Sequence, residues 1–328
     1  MDNIYLDLQV IILKYNISSD FKYIRFMTFP IVKAFAPIAE KVLGIFMKVE
    51  HSDEQVKVTK HTIDTANGQI DALFYEPKNC GTTVPAMIYY HGGGFIYKAA
   101  PYHYRLVKQY CVQTPCKVLM VDYRLTPKHS YPVPVNDCYS GLEWLVKNAD
   151  ELGIDKEKIM IAGDSAGGNL AAAVTLMARE NKLFRPCGQM LIYPVIDRRM
   201  KTLSMRKYTD TPVWNSRLSE KMWNLYLQGS DDKTIQYTSP IEASNLSGLP
   251  ETYIETAEFD CLHDEGVEYA NALRTAGNRV ILNETKNTIH GFEMASKSNI
   301  VNKSMKTRIR FLQNKFYNID VLKDNAIK

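Results

Sequence analysis

The stretch Lys158-Ile159-Met160-Ile161-Ala162-Gly163-Asp164-Ser165-Ala166-Gly167-Gly168-Asn169-Leu170 decides how the chain is read. A short apolar run of strand character stops at Gly163, and small residues from Gly167 through Ala173 open a helix. Strand, tight turn and helix with G-x-S-x-G at the turn place a serine on a strained elbow, its Oγ lifted clear of the sheet. Glycines fit at 163 and 167 because a Cβ there would meet the neighbouring strand or helix. Ser165 also stands at the amino end of the helix, where free N–H groups favour developing negative charge. Alone the motif is only moderately specific, since glycine-flanked serines also occur in ordinary strand-to-helix turns. Partners elsewhere in the chain must decide.

Such partners are present. His91-Gly92-Gly93-Gly94-Phe95 follows the apolar run Ala86–Tyr90, where an oxyanion-hole loop belongs. Consecutive glycines let backbone N–H groups turn toward a ligand. The expected donors are Gly92 and Gly93 together with Ala166, and losing one such donor costs roughly 3–4 kcal/mol of barrier. His91 reads as a hydrogen bonder that orients the loop rather than as a base. Asp164 reads as a brace for the elbow or the glycine loop, and Asp137 as a helix cap or first-turn anion.

In an open parallel sheet the loops at the carboxyl ends of the strands share one edge, where ligands bind. His91–Phe95, Gly163–Gly167, Asp260 after Thr252–Thr256 and His290 after Val280–Asn283 all leave strands in that direction. The order serine, acid, histidine is the one this architecture requires. Only His263 and His290 of the seven histidines follow Asp260. His263 is expected within a helix, whereas His290 lies in a loop beside Gly291, free to reach Ser165. Glu258, Asp260 and Asp264 compete for the acid role, with Asp264 and Glu265 suited to a first helical turn.

The segments HGGGF (91–95), YRLTPKHSYPVPVND (123–137), GDSAGGNLAA (163–172), LIYP (191–194), AEFDCLHDEG (257–266) and HGF (290–292) resemble, in order and spacing, the hormone-sensitive-lipase-like esterases. That family is a branch of the α/β-hydrolases, and the resemblance runs from about residue 56 to 312. It implies that Asp260 is the acid, giving a Ser165–His290–Asp260 triad, and that Ser165 attacks an ester carbonyl to form an acyl-enzyme. It also implies short- to medium-chain acyl esters as substrates and a helical cap over the site. Phe95, Tyr193, Trp214 and Phe292 are the expected pocket walls. No cofactor and no metal is needed. Glu258 stands where the family often has glycine and is expected to act on the histidine, and Lys128 stands where glutamate is common. Two other classes remain open: an amidase or peptidase using the same triad, and a non-catalytic ligand-binding relative. The intact serine, acid and histidine speak against the second.

The 328 residues suffice for one large core plus a small accessory module, with 45% hydrophobic and 23% charged residues. A formal charge of +4 without any nucleic-acid-binding signature argues against that partner class. Six scattered cysteines lack C-x-x-C and metal-ligand spacing. With no basic n-region at the start and no apolar stretch of about 18 residues, a reducing, cytoplasmic protein without a transmembrane helix is expected.

Helical periodicity over residues 1–50 predicts two or three helices. The resemblance implies that they form an N-terminal cap segment before a catalytic domain at 51–328, with packing on that domain away from the site the open alternative. Val56–Thr62 and Ile70–Tyr75 flank an Asn67-Gly68 hairpin signal. Strands are then predicted at 86–90, 117–122, 158–162, 189–193, 252–256 and 279–284. Helices are predicted near 102–113, 136–149, 167–181, 263–276 and 300–316. The class is α/β: an eight-stranded, mostly parallel sheet with helices on both faces. The last strand is an edge open to a homodimer. Residues 198–235, bearing Trp214 and Trp223, form a second cap piece. The final helix places Val301, Met305, Ile309, Leu312 and Phe316 on one side and Lys303, Lys306, Arg308, Arg310 and Lys315 elsewhere. Packing on the sheet with a solvated basic face is preferred to membrane association.

Overall fold

The structure, a computed structural model, is described over residues 14–24, 52–228 and 232–319. Most of the predicted N-terminal cap segment lies outside the described residues. The sheet begins with the hairpin β1 (Val56–Thr65) and β2 (Gly68–Pro77), which turns at Ala66 and Asn67 so that Thr65 pairs with Gly68. It continues as β3 (Val84–Tyr90), β4 (Lys117–Asp122), β5 (Ile154–Asp164), β6 (Gly188–Ile192), β7 (Thr252–Phe259) and β8 (Val280–Ile289). Strand order is β1-β2-β4-β3-β5-β6-β7-β8, antiparallel from β1 to β4 and parallel thereafter.

Strand alternation sorts the core into two layers. Ala86, Ile88 and Tyr90 of β3, Leu119 and Val121 of β4 and Ile159 and Ile161 of β5 face one side. They meet α2 (Val133–Lys147), α3 (Ala166–Glu180) and α6 (His263–Thr275). Met87, Tyr89, Val118, Met120, Met160 and Ala162 face the other side. There they meet α1 (Pro101–Gln113) and α7 (Asn299–Tyr317). Burying one side chain such as Leu119 contributes about 1.5–3 kcal/mol. The middle strands are apolar on both faces because helices cover both.

The insertion after β6 holds two short helices, α4 (Leu203–Lys207) and α5 (Ser216–Tyr226), and a 3-10 stretch Asp232–Tyr237. Thr202 and Asn215 cap the two helices, their side chains accepting from Met205 N and Leu218 N. The segment 14–24 joins this insertion to the far edge of the sheet. Tyr15 donates to Asp210 Oδ1 at 2.5 Å, Ser18 N donates to Asn287 O at 3.0 Å, and Phe21 packs 6.3 Å from Phe292. Among the described residues no helix is long and apolar enough to cross a membrane.

In α7, Val301, Met305, Ile309, Leu312 and Phe316 are buried against the sheet, as the spacing predicts. Arg308 departs from the expected solvated basic face. It is fully buried because two carboxylates, Glu255 and Glu293, meet its guanidinium beneath the helix. Asp137 is likewise no cap. It lies in the second turn of α2 and accepts from the backbone N, Nε and Nη2 of Arg124 at 2.6–2.9 Å, pinning the segment after β4.

Candidate active site

β5 delivers Ser165 to the carboxyl edge with φ +55° and ψ −120°, a strained conformation for a residue bearing a Cβ. Surrounding hydrogen bonds hold it there: Ser165 N donates to Ile192 O at 2.8 Å, and Val195 N donates to Ser165 O at 3.0 Å. A Cβ on Gly163 would stand 2.2 Å from Gly167 O, and one on Gly167 would stand 2.0 Å from Tyr90 O. The elbow therefore closes only with glycine at both positions.

Three loops converge on the serine. His290 Nε2 lies 2.9 Å from Ser165 Oγ, and its Nδ1 lies 2.6 Å from Asp260 Oδ2. An imidazole with its proton on Nδ1 donates to Asp260 and accepts the Ser165 hydroxyl, the tautomer that general-base chemistry needs. Asp260 is fully buried beyond β7, and Leu262 N donates to its other oxygen at 3.0 Å. His263 is turned away, between Asp264 Oδ1 at 2.9 Å and Glu284 Oε2 at 3.2 Å. Glu258 accepts from Asn287 N at 2.7 Å, bracing the turn that precedes His290. Asp264 accepts from Ser204 N at 2.7 Å and thereby ties α6 to α4.

The glycine loop corrects one expectation. Gly92 N donates to Asp164 Oδ1 at 2.9 Å, so its proton is not available to a ligand. Among the described residues the N–H groups of Gly93 and Gly94 keep no internal partner. Both glycines have positive φ, +123° and +62°, which lets the loop curl with these groups unspent. Ala166 N, at the first position of α3, has no intrahelical acceptor.

Asp164 is the buried anchor of this loop. Besides Gly92 N it receives Tyr89 Oη at 2.7 Å, His103 Nε2 at 3.1 Å and Tyr102 Oη at 3.5 Å. Burial alone would raise its carboxyl, but His103, Tyr89 and the other donors hold it down at about 2. His91 stacks on Tyr123 at 4.6 Å and bonds Gly92 O through Nδ1 at 2.7 Å. Burial, and then the neighbouring His103, lower its pKa to about 4, so it is neutral at ordinary pH and orients the loop.

Of the four expected pocket walls, Trp214 stands over the site. Its ring lies 6.1 Å from His290, and a Cβ on Gly94 would come within 2.7 Å of it. Its Nε1 donates to Ser219 Oγ of α5 at 2.9 Å. Phe95 and Phe292 do not line a pocket, both having 0% exposure. Phe95 is stacked 3.8 Å from Tyr226 at the base of the insertion, and Phe292 packs against Phe21 and Tyr193. Tyr193 is also buried, its ring 4.5 Å from that of His290 and its hydroxyl on Glu293 Oε2. The sequence held no signal for the partners of Asp164 in α1, since a lone histidine or tyrosine in a helix has none. Among the described residues no group of His, Cys, Asp and Glu is disposed to hold a metal ion.

A family described by the α/β hydrolase fold matches residues 87–294. The chain is 37% identical over 243 residues to carboxylic ester hydrolase LipN of Mycobacterium tuberculosis, covering 72% of this chain and 64% of that one. It is 31% identical to an arylesterase of Saccharolobus solfataricus, covering 79% and 84%. The solved structure of a bacterial heroin esterase superposes with TM-score 0.84 at 30% identity, covering 92% and 98%. Fold, motifs and these relatives together place the chain in the hormone-sensitive-lipase-like esterase family of the α/β-hydrolases.

Proposed function

We propose that the protein is a carboxylic ester hydrolase in which Ser165 is the nucleophile, His290 the general base and acid, and Asp260 the group that holds the imidazole. The Asp260–His290–Ser165 hydrogen-bond relay at the strained elbow carries this reading. Ser165 Oγ attacks the ester carbonyl as His290 Nε2 takes its proton, and the imidazolium then protonates the departing alkoxide. Gly93, Gly94 and Ala166 N–H groups receive the oxyanion, each worth roughly 3–4 kcal/mol of barrier. A water activated by the same histidine releases the acid.

The Trp214 indole above Gly94 supports short- to medium-chain acyl groups. Cys111, Cys116, Cys138 and Cys261 are buried free thiols, which supports a reducing cytoplasmic setting. β8 is the outer strand of the sheet and offers an edge to a second copy.

Turnover of p-nitrophenyl acetate against a p-nitroanilide, in wild type and Ser165→Ala, tests the reading. Ester cleavage well above anilide cleavage, abolished in Ser165→Ala, is expected. Similar losses follow for His290→Ala, because the residues act as a unit. Near-wild-type rates in either variant would remove the triad assignment.

A further inference from the structure

Rotation about Cβ–Cγ would carry Nδ1 and Nε2 of His290 away from Asp260 and Ser165, and the two hydrogen bonds at those atoms resist it. A contact on the ring face adds to that restraint. Tyr193 makes that contact, with ring centroids 4.5 Å apart and planes inclined by 54°. Tyr193 is itself held at both ends. Its backbone has φ +32°, a costly value for a residue with a Cβ. Its N–H donates to Glu255 O at 2.6 Å, and its hydroxyl donates to Glu293 Oε2 at 2.6 Å.

Both of those partners converge on one cation. Arg308 Nη2 pairs with Glu255 Oε1 at 2.5 Å and with Glu293 Oε1, all three side chains being buried. The remaining lone pairs and protons are also satisfied. Tyr253 Oη and Asn283 Nδ2 donate to Glu255 Oε2 at 2.5 and 3.0 Å, and Arg308 Nη1 donates to Tyr110 Oη at 3.2 Å. Burying three charges costs several kcal/mol of desolvation per ion, and apolar residues of the same volume often serve stability as well or better. A core needing only stability has little use for such a network. A histidine needing a fixed plane has one, because misplacing a reacting group by about 1 Å can cost on the order of a hundredfold in rate.

We propose that Tyr193, anchored through Glu293 to Arg308, is a positioning residue that fixes the plane of the His290 imidazole for proton transfer to and from Ser165. The proposal rests on the reading of Ser165, His290 and Asp260 as the catalytic relay. Glu293 follows His290 by three residues and Arg308 sits on the last helix, so α7 takes part in aligning the triad.

The test uses the full chain. Tyr193→Phe keeps the ring and removes only the anchor. It should lower kcat for p-nitrophenyl acetate about tenfold or more with KM nearly unchanged, and shift or broaden the low-field proton resonance of His290 Nδ1–H. Tyr110→Phe deletes a hydroxyl from the far side of the same Arg308 and should leave kcat and the resonance as in wild type. Glu293→Gln keeps an acceptor for Tyr193 but removes its ion pair to Arg308, and should likewise lower kcat with KM nearly unchanged. Wild-type kcat in the folded Glu293→Gln would overturn the proposal should Tyr193→Phe fail to fold. Wild-type kcat and resonance in folded Tyr193→Phe, alongside an inactive Ser165→Ala, would overturn the proposal and spare the triad. Equal losses in Tyr110→Phe and Tyr193→Phe would overturn it as well, reducing the network to general packing. Activity persisting in Ser165→Ala would instead remove the relay on which it rests.

Discussion

His103 Nε2 and Asp164 Oδ2, 3.1 Å apart and both buried, join α1 to the residue before the nucleophile. His103 Nδ1 accepts from Ala100 N at 2.8 Å, which leaves the proton on Nε2 and makes it the donor. The same carboxylate holds Gly92 N through its other oxygen. One anion thus fixes the elbow and the start of the glycine loop together, and sets where the N–H groups of Gly93 and Gly94 point.

Asp164→Asn changes one oxygen to a donor amide while the surrounding Tyr89, Gly92 and His103 protons remain donors. A buried donor facing donors leaves groups unsatisfied, at about 1–3 kcal/mol. The expected variant unfolds at lower urea and loses kcat with little change in KM, since the loop stabilises the transition state. Urea unfolding and steady-state kinetics check this; a variant as stable and active as wild type would remove the anchor role.

Acid should weaken the fold in two windows. His91, lowered to about 4 mainly by burial, stays neutral when folded and takes a proton when unfolded, so stability falls as pH drops from about 6.5 to about 4. Asp164, held at about 2 by its donors against the effect of burial, contributes stability above the unfolded value near 3.8 that is lost as pH falls toward 2. Glu265 runs the other way. Burial raises its carboxyl despite the N–H groups of Ile196 and Asp197, so its proton favours the fold at low pH and that contribution fades as pH rises through the raised value. Urea midpoints from pH 3 to 8 should fall toward acid in wild type and fall less between 6.5 and 4 in His91→Asn; parallel curves would contradict the first window.

All eight strands and the five long helices were legible because period-two runs and apolar helical faces reflect burial directly. The convergence of Ser165 and His290 was legible as well, since a glycine elbow and a histidine beyond a strand end restrict the geometry locally. Gly92 misled because three adjacent glycines look alike until Asp164 is seen to claim the first N–H. Phe95 and Phe292 misled because aromatic residues beside catalytic motifs pack downward as readily as they line a pocket. Arg308 misled because it sits among lysines and arginines, and its partners, Glu255 and Glu293, lie 53 and 15 residues away. Buried ion pairs formed across long separations leave no periodic trace in the chain.

Trp214 should set the size of ester accepted. Its indole crowds Gly94 and is held by Ser219 on α5, so Trp214→Ala opens space directly beside His290. Across p-nitrophenyl acetate, butyrate, octanoate and laurate, the ratio of kcat/KM should move toward the longer chains, by about tenfold or more. An unchanged chain-length profile would place the acyl group elsewhere.

The last helix bears on whether the chain works at a bilayer. Ile309 lies on the buried side of α7, while Lys303, Lys306 and Arg310 are exposed and Lys315 pairs with Glu251 at 3.0 Å. A helix lying on anionic lipid would need that apolar side free, and here Tyr253 packs 5.5 Å from Phe311 on the same layer. Ile309→Asp should therefore destabilise the whole protein by several kcal/mol, the order of cost for an unpaired buried charge. Arg308→Met should do comparable damage, because it leaves Glu255 and Glu293 facing each other without their cation. Vesicles of phosphatidylserine and phosphatidylcholine should not sediment the wild type at low salt. A fully stable Ile309→Asp, with salt-sensitive cosedimentation of the wild type, would mean that α7 leaves the sheet and that the enzyme meets its esters at a membrane surface.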